Sequence, residues 1–249
     1  MNAAIVIPVR LASTRLPGKP LAKLGDLPLV TWVVRQCNRS KLAQDVFVAT
    51  DSEDIASALR TENCTVVSTS PTHQSGSDRV AEVAASLEHA LVVNVQGDEP
   101  FVSPSDIDSV IETLIRDGHD IVTLRTLATT DEVNDPNAVK IAMGESQRAL
   151  YFSRAPIPFR HPSLKEDKAD YWRHIGLYGY RRAALLRWSE LERDPLENHE
   201  GLEQLRALSN GMSIQAIPAN SPSRGIDTPD DLEWARQRVE KLGAQAFPN

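Results

Sequence analysis

The chain begins with a short, unbroken run of apolar side chains, Ala3 to Val9, which lacks both the alternation of a one-sided strand and the length of a helix. Such a run is buried on both faces, and strands buried on both faces belong to parallel sheets covered by helices. Further strands are expected at Asp45 to Thr50, Thr65 to Thr69 and Ala90 to Gln96 (ALVVNVQ). Between them, apolar residues fall at helical spacing: Ile55, Ala58 and Leu59, then Val80, Val83, Ala84 and Leu87, then Ile107, Val110, Ile111 and Leu114. Ser103 and Pro104 suit the cap and first position of the last of these helices. The alternation predicts an α/β fold, a mostly parallel twisted sheet with helices on both faces. Right-handed crossovers then gather the strand-end loops on one rim, where such folds bind ligands.

After Asp120 the pattern loosens. Asp120 to Leu127 and Ala138 to Met143 read as strands, and Pro156, Pro158 and Pro162 punctuate a loop or excursion reaching Trp172. Ile175 to Tyr180 returns as a strand. Glu197 to Ser209 reads as one helix with Gly211 as its stop. A final helix starts after Thr228, with Pro229 in its first turn and Asp231 in the capping-box position. One domain spanning residues 1–249 is expected.

Composition narrows the function. Hydrophobic residues make up 41% and charged residues 24%, ordinary for a soluble globular protein. No stretch approaches the roughly 18 apolar residues of a membrane span. Met1 to Pro8 lack a basic n-region and a long apolar h-region, so a cytoplasmic protein is expected rather than a secreted one. Cys37 and Cys64 stand in no metal or redox spacing and read as buried thiols. A net charge of -7 argues against a nucleic-acid binder. Yet up to Lys41 there are seven basic residues and one acid, Asp26. That imbalance fits either a solvated basic face or a small anionic ligand near the first strand.

The most informative stretch is Ile7 to Pro20, IPVRLASTRLPGKP, directly after the first strand. Arg10, Arg15 and Lys19 supply cations, Ser13 and Thr14 hydroxyls, and Gly18 a place where backbone can approach a ligand. Such a loop can surround a triphosphate. It is not a Walker A loop, because Gly18-Lys19 is followed by Pro20 and no glycine lies five residues before Gly18; nor is there a GxGxxG after the strand.

This loop is similar to that of the nucleotidyltransferases that activate sugars with CTP. The similarity continues through Thr50-Asp51, His73-Gln74-Ser75-Gly76, Asn94 to Pro100 (NVQGDEP), Asn134 to Lys140 (NDPNAVK) and Tyr151 to Arg154 (YFSR). It runs on through Arg173 to Tyr180 (RHIGLYGY), Leu202 to Arg206 (LEQLR) and Asp227-Thr228-Pro229. As a set, in order along the chain, these blocks resemble the CMP-Kdo synthetases, the 3-deoxy-manno-octulosonate cytidylyltransferases. Departures from the family pattern lie at Val9, Leu11, Gly25 to Leu27, Ser77 to Arg79 and Glu197 to Glu200.

The resemblance implies a nucleotide-diphospho-sugar transferase-like fold and transfer of CMP from CTP to a 3-deoxy sugar acid, with release of pyrophosphate. It implies Arg10, Ser13, Arg15 and Lys19 on the triphosphate and Gln74, Ser75, Gly76 and Arg79 near the cytosine and ribose. Ser75 also reads as the cap of the helix that follows. For the sugar acid it implies Gln96, Arg154, His174, Tyr178, Glu203 and Gln204. Lys19, Asp98 and Asp227 are expected to be catalytic, with the two carboxylates as ligands of Mg2+; in isolation Asp98 reads equally as a turn residue and Asp227 as a helix-start charge. A homodimer formed through residues of about 154–206 is implied, as is a product bound for lipopolysaccharide or capsule. Alternatives at this stage are an 8-amino analogue or a nonulosonic acid as acceptor, a metal-dependent glycosyltransferase, and a non-catalytic CTP-binding module. Asp98 is followed by Glu99-Pro100 rather than completing an Asp-x-Asp motif, which counts against the glycosyltransferase.

Overall fold

The computed structural model describes residues 1–13, 15–73, 75–163, 170–221 and 224–248. The first strand, β1 (Ala3–Pro8), is buried at every position. A small hairpin of β2 (Lys23–Leu24) and β3 (Leu27–Pro28) leads into α1 (Leu29–Cys37). There follow β4 (Asp45–Thr50), α2 (Glu53–Ala58), β5 (Thr65–Ser68), α3 (Gly76–Ser86), β6 (Leu91–Asn94) and α4 (Pro104–Asp117). The second half holds β7 (Ile121–Leu127), α5 (Thr130–Asn134), β8 (Lys140–Met143), β9 (Ala149–Ser153) and β10 (Trp172–Arg181). It ends with α6 (Arg182–Ser189), α7 (Pro195–Glu200), α8 (Gln204–Ser209), β11 (Ile214–Pro218) and α9 (Pro229–Leu242).

The main sheet runs β11-β7-β10-β6-β1-β4-β5. β1 is parallel to β4 and β6, β4 to β5, and β7 to β11, as the buried apolar runs predict. Side chains alternate across the sheet. Ile5 and Ile7 join a core with Leu29, Val33, Ile107 and Leu232 of α1, α4 and α9. Val6 points the other way, into a core with Val80, Ala84, Leu185 and Leu205 of α3, α6 and α8. These are the helices on both faces.

β10 is the exception to the parallel order. It lies antiparallel between β6 and β7, and its first residues, Trp172 and Arg173, also pair with β8. The strand expected at Ile175 therefore begins at Trp172. Its register against β7 shifts between Ile175 and Tyr178, where Thr123 Oγ1 lies 3.2 Å from Ile175 O and 2.9 Å from Leu177 O. Because β10 is central to the sheet and α6 packs with α3 in one core, residues 154–206 are not a detached excursion throughout. The single helix expected over Glu197 to Ser209 is two helices. Gly201, at φ 63°, ends α7 in the left-handed region that favours glycine, and Leu202 N turns back to Glu197 O at 3.2 Å.

Candidate active site

The loops after β1 and β6 meet at the sheet's rim. Gly97 lets them touch, since a Cβ there would lie 2.7 Å from Val9 Cγ2 and 3.1 Å from Pro8 O. Asp98 follows at once. A second backbone tie joins Asp98 O to Ile226 N at 2.9 Å, bringing the next carboxylate-bearing segment alongside. Thr228 caps α9 in a full capping box with Asp231, and Asp231 Oδ2 also accepts Asp227 N at 3.2 Å. The helix start is thereby satisfied by Asp231, leaving the Asp227 carboxylate for the cleft.

Lys19 reaches both acids. Gly18, at φ 68°, turns the loop into a short 3-10 helix, Lys19–Leu21. Lys19 Nζ lies 2.5 Å from Asp98 Oδ2 and 3.0 Å from Asp227 Oδ1, and Arg15 reaches Asp227 Oδ1 at 3.2 Å. Burial pulls the Lys19 ammonium down, but Asp98 and Asp227 outweigh it and hold its pKa above the ordinary lysine value. Two carboxylate oxygens thus converge on one cationic centre. This donor set suits Mg2+, which is bound through one or two carboxylates together with substrate phosphates. Among the described residues no group of three or more His, Cys, Asp or Glu forms a closed metal cage.

These groups border a cleft of about 630 Å3 that also takes in Arg10, Ser13, Ser75, Gly76, Arg79 and Gln96. Ser75 caps α3, accepting Asp78 N at 3.1 Å. The Arg79 guanidinium is buried and already engaged, by Thr69 Oγ1 and by Asp51 Oδ1 at 3.4 Å. Gln74 lies outside the described residues.

A second cavity of about 290 Å3 adjoins the cleft, and Gly76, Gln96 and Glu203 border both. His174, Tyr178 and Gln204 line it. Burial, aided by the charge of Arg173, holds the His174 imidazole down at about 3, so it is neutral; its Nε2 lies 3.0 Å from Thr123 Oγ1. Burial raises the Glu203 carboxyl above its usual range and the Tyr178 phenol well above its own. Gln96 Nε2 donates to Asn94 Oδ1 at 3.1 Å.

Arg154 stands apart from both cavities. Its guanidinium donates to Glu200 O at 2.7 Å, Pro136 O at 2.9 Å and Gly201 O at 3.5 Å. There it braces the C-terminal end of α7 rather than meeting the other residues expected on the sugar acid. Two neighbours of the cleft were not singled out from the sequence. Asp51 pairs with Arg79, and His73 lines the cleft. Both sit inside quoted sequence blocks, Thr50-Asp51 and His73 to Gly76, and that was the available signal.

A family model described as "Cytidylyltransferase" matches residues 4–214. The 3-deoxy-manno-octulosonate cytidylyltransferase of Polynucleobacter necessarius subsp. necessarius is 46% identical over 243 residues, covering 95% of each chain. That of Chlorobaculum tepidum is 43% identical over 250 residues, covering 98% of this chain and 100% of its own. A solved structure of CMP:2-keto-3-deoxy-manno-octonic acid synthetase complexed with CTP superposes with a TM-score of 0.92 at 35% identity, covering 97% of this chain and 99% of the other. The 4-diphosphocytidyl-2C-methyl-D-erythritol synthase of Anaerococcus prevotii, at 14% identity and a TM-score of 0.64, shares the fold. Alike in sequence over nearly its whole length and in architecture, the chain belongs to the cytidylyltransferase family and, within it, to the 3-deoxy-manno-octulosonate cytidylyltransferases.

Proposed function

We propose that this protein transfers the cytidylyl group of CTP to 3-deoxy-manno-octulosonate, giving the CMP-linked sugar acid and pyrophosphate. The observation that carries this reading is the pair of adjoining cavities, with Lys19, Asp98 and Asp227 bordering the larger and Gln96 and Glu203 on the boundary between the two. In the reaction the acceptor's anomeric oxygen bonds to the α-phosphorus of CTP while the bond from that phosphorus to the β-phosphate bridging oxygen breaks. The hydroxyl proton is lost to solvent. Such a transfer needs cations and alignment more than covalent catalysis.

Arg10, Ser13, Arg15 and Lys19 hold the triphosphate, and Ser75, Gly76 and Arg79, with Gln74, border the nucleoside. Arg79 acts through Thr69 and Asp51, stiffening the wall rather than offering a free fork. Asp98 and Asp227 would hold Mg2+, which when bound neutralises phosphate charge and acidifies the attacking hydroxyl. Gln96, His174, Tyr178, Glu203 and Gln204 take the sugar acid. Arg154 serves this pocket indirectly, by fixing the α7 end from which Gly201 and Glu203 follow.

The enzyme works as a cytoplasmic homodimer whose product feeds lipopolysaccharide or capsule synthesis. Leu127, Leu150 and Phe159 are large apolar side chains left exposed, which supports a partnered surface. Among the described residues no helix is long and apolar enough to cross a membrane. The test is pyrophosphate release from CTP and Mg2+ with 3-deoxy-manno-octulosonate, its 8-amino analogue and N-acetylneuraminate in parallel. Release with the first is expected. Release only with another acid overturns the acceptor, and silence with all three overturns the activity.

A further inference from the structure

Part of the cleft lining comes from the segment ahead of α3, and one imidazole there has a fixed orientation. His73 Nε2 meets Glu82 Oε2, on α3. The same oxygen accepts Ser70 N at 3.0 Å. Ser70 Oγ in turn lies 2.7 Å from Thr72 Oγ1 and accepts Thr72 N at 3.3 Å. One carboxylate therefore staples the 70–73 turn to the helix.

The chemistry of that carboxylate decides which ring nitrogen carries the proton. The hydrogen bond from His73 lowers the Glu82 pKa below its usual range, against a smaller effect of burial, helped by the hydrogen bond from Ser70 N. An ionised carboxylate only accepts, so Nε2 carries the proton of this hydrogen bond. Nδ1 has no partner among the described residues, and in the tautomer protonated at Nε2 alone it holds a lone pair.

The rest of the cleft is already allotted. Arg10, Arg15 and Lys19 suit phosphates, and Gln96 and Glu203 face the second cavity. Arg79 is spent on Thr69 and Asp51, and the Ser75 hydroxyl on capping α3. Among the described residues of this segment, His73 is the side chain that lines the cleft with an unspent polar atom. We propose that His73 selects the base: its Nδ1 accepts a hydrogen bond from the exocyclic amine of a 4-aminopyrimidine and rejects a 4-oxopyrimidine, and Glu82 is the positioning residue that holds the imidazole in that tautomer. Cytosine presents N4–H as a donor at this edge, whereas uracil presents O4, placing lone pair against lone pair. The proposal rests on the cytidylyl-transfer reading of the site and extends it to the choice of base.

The experiment compares kcat/KM for CTP and UTP, with the same sugar acid, in the wild type and in His73→Ala, Glu82→Ala and Glu82→Gln. Calorimetric Kd values for both nucleotides are measured alongside. The wild type is expected to prefer CTP. His73→Ala and Glu82→Ala are expected to lower the CTP:UTP ratio about tenfold, an ordinary hydrogen bond's worth, with the loss falling on KM for CTP more than on kcat. Glu82→Gln keeps an oxygen that accepts both Ser70 N and Nε2–H, so it should retain most of the ratio. An unchanged ratio in His73→Ala overturns the proposal, as does a Glu82→Gln ratio as low as that of Glu82→Ala. Should His73→Ala not fold, the two Glu82 variants decide by the same contrast. A wild type that releases no pyrophosphate sinks the functional reading instead, and the Kd ratios then decide base selection alone.

Discussion

Asp98 and Asp227, far apart in the chain, share a single ammonium: Lys19 Nζ stands 2.5 Å from one carboxylate and 3.0 Å from the other. Their oxygens are held together before any substrate arrives. Asp98→Asn keeps the shape but removes a negative charge from this pair. It should reduce pyrophosphate release by roughly a thousandfold or more, while circular dichroism and the unfolding midpoint stay near wild type. A chelator should silence the wild type, and added Mg2+ should restore it. An active, folded Asp98→Asn protein would refute the metal assignment.

Gly97 is where the loops of β1 and β6 touch. Alanine there brings a Cβ to 2.7 Å from Val9 Cγ2 and 3.1 Å from backbone, so the Asp98 segment must shift. The expected cost is about 1–3 kcal/mol of stability, with a larger proportional loss of kcat because Asp98 moves with it. Gly179→Ala runs into Val110 Cγ1 and Leu114 of α4 in the core, and should cost stability with a smaller proportional loss of kcat per folded molecule. Similar kcat losses in both variants would count against this distinction.

Arg206 and Glu197 form a bidentate pair, both contacts at 2.7 Å, with side chains only 6% and 7% exposed. The pair clasps α7 to α8 across the turn at Gly201, and Arg206 also lies over the Trp188 ring. Arg206→Met strands a buried carboxylate and should cost about 3–5 kcal/mol in urea unfolding. Arg206→Met with Glu197→Leu should recover much of that loss. No recovery in the double variant would mean that the charge pair is not the source of the cost.

His174 gives stability a pH dependence. Its imidazole is held at about 3 in the folded protein, against 6.5 ordinarily. Between those values the unfolded chain binds the extra proton. Stability is therefore fully present above about pH 6.5 and falls as pH drops toward 3, by at most about 1.4 kcal/mol per unit. The wild type should lose more of its urea midpoint between pH 7.5 and 5 than His174→Asn does. Equal losses in the two proteins would argue that His174 titrates normally.

The sequence speaks most clearly where a local rule and the global fold agree. β1 is a buried apolar run and became a central parallel strand; Ser75 and the Thr228/Asp231 box cap their helices as their residue types dictate. α1 was silent because Val30, Thr31, Val33 and Val34 have strand-like propensity, and burial against the sheet overrides it. The break at Gly201 was missed because helical spacing continues on both sides of it. The rim loops were legible, since parallel crossovers gather them. The engagement of Arg154 and Arg79 was not, because partners such as the carbonyls of Pro136 and Glu200 and the hydroxyl of Thr69 leave no sequence pattern. The antiparallel insertion of β10 depends on pairing partners on both its edges, which one strand's own residues do not specify.

Between β7 and β10 the chain passes through β8 and β9, which pair onto the start of β10, and its two ends meet where Ala128 N donates to Tyr171 O at 2.8 Å. Everything between is a cassette with adjacent ends, and it carries the exposed Leu150 and Phe159. Ile141, Ala149 and Phe152 of this segment are buried in the core, but its exposed turns can change in length with little change in closure entropy, because the closing point stays fixed. The residues bordering the cleft lie outside it. In evolutionary terms, what those exposed turns touch can drift while the chemistry on the rim, and the Arg154 brace behind it, is inherited unchanged.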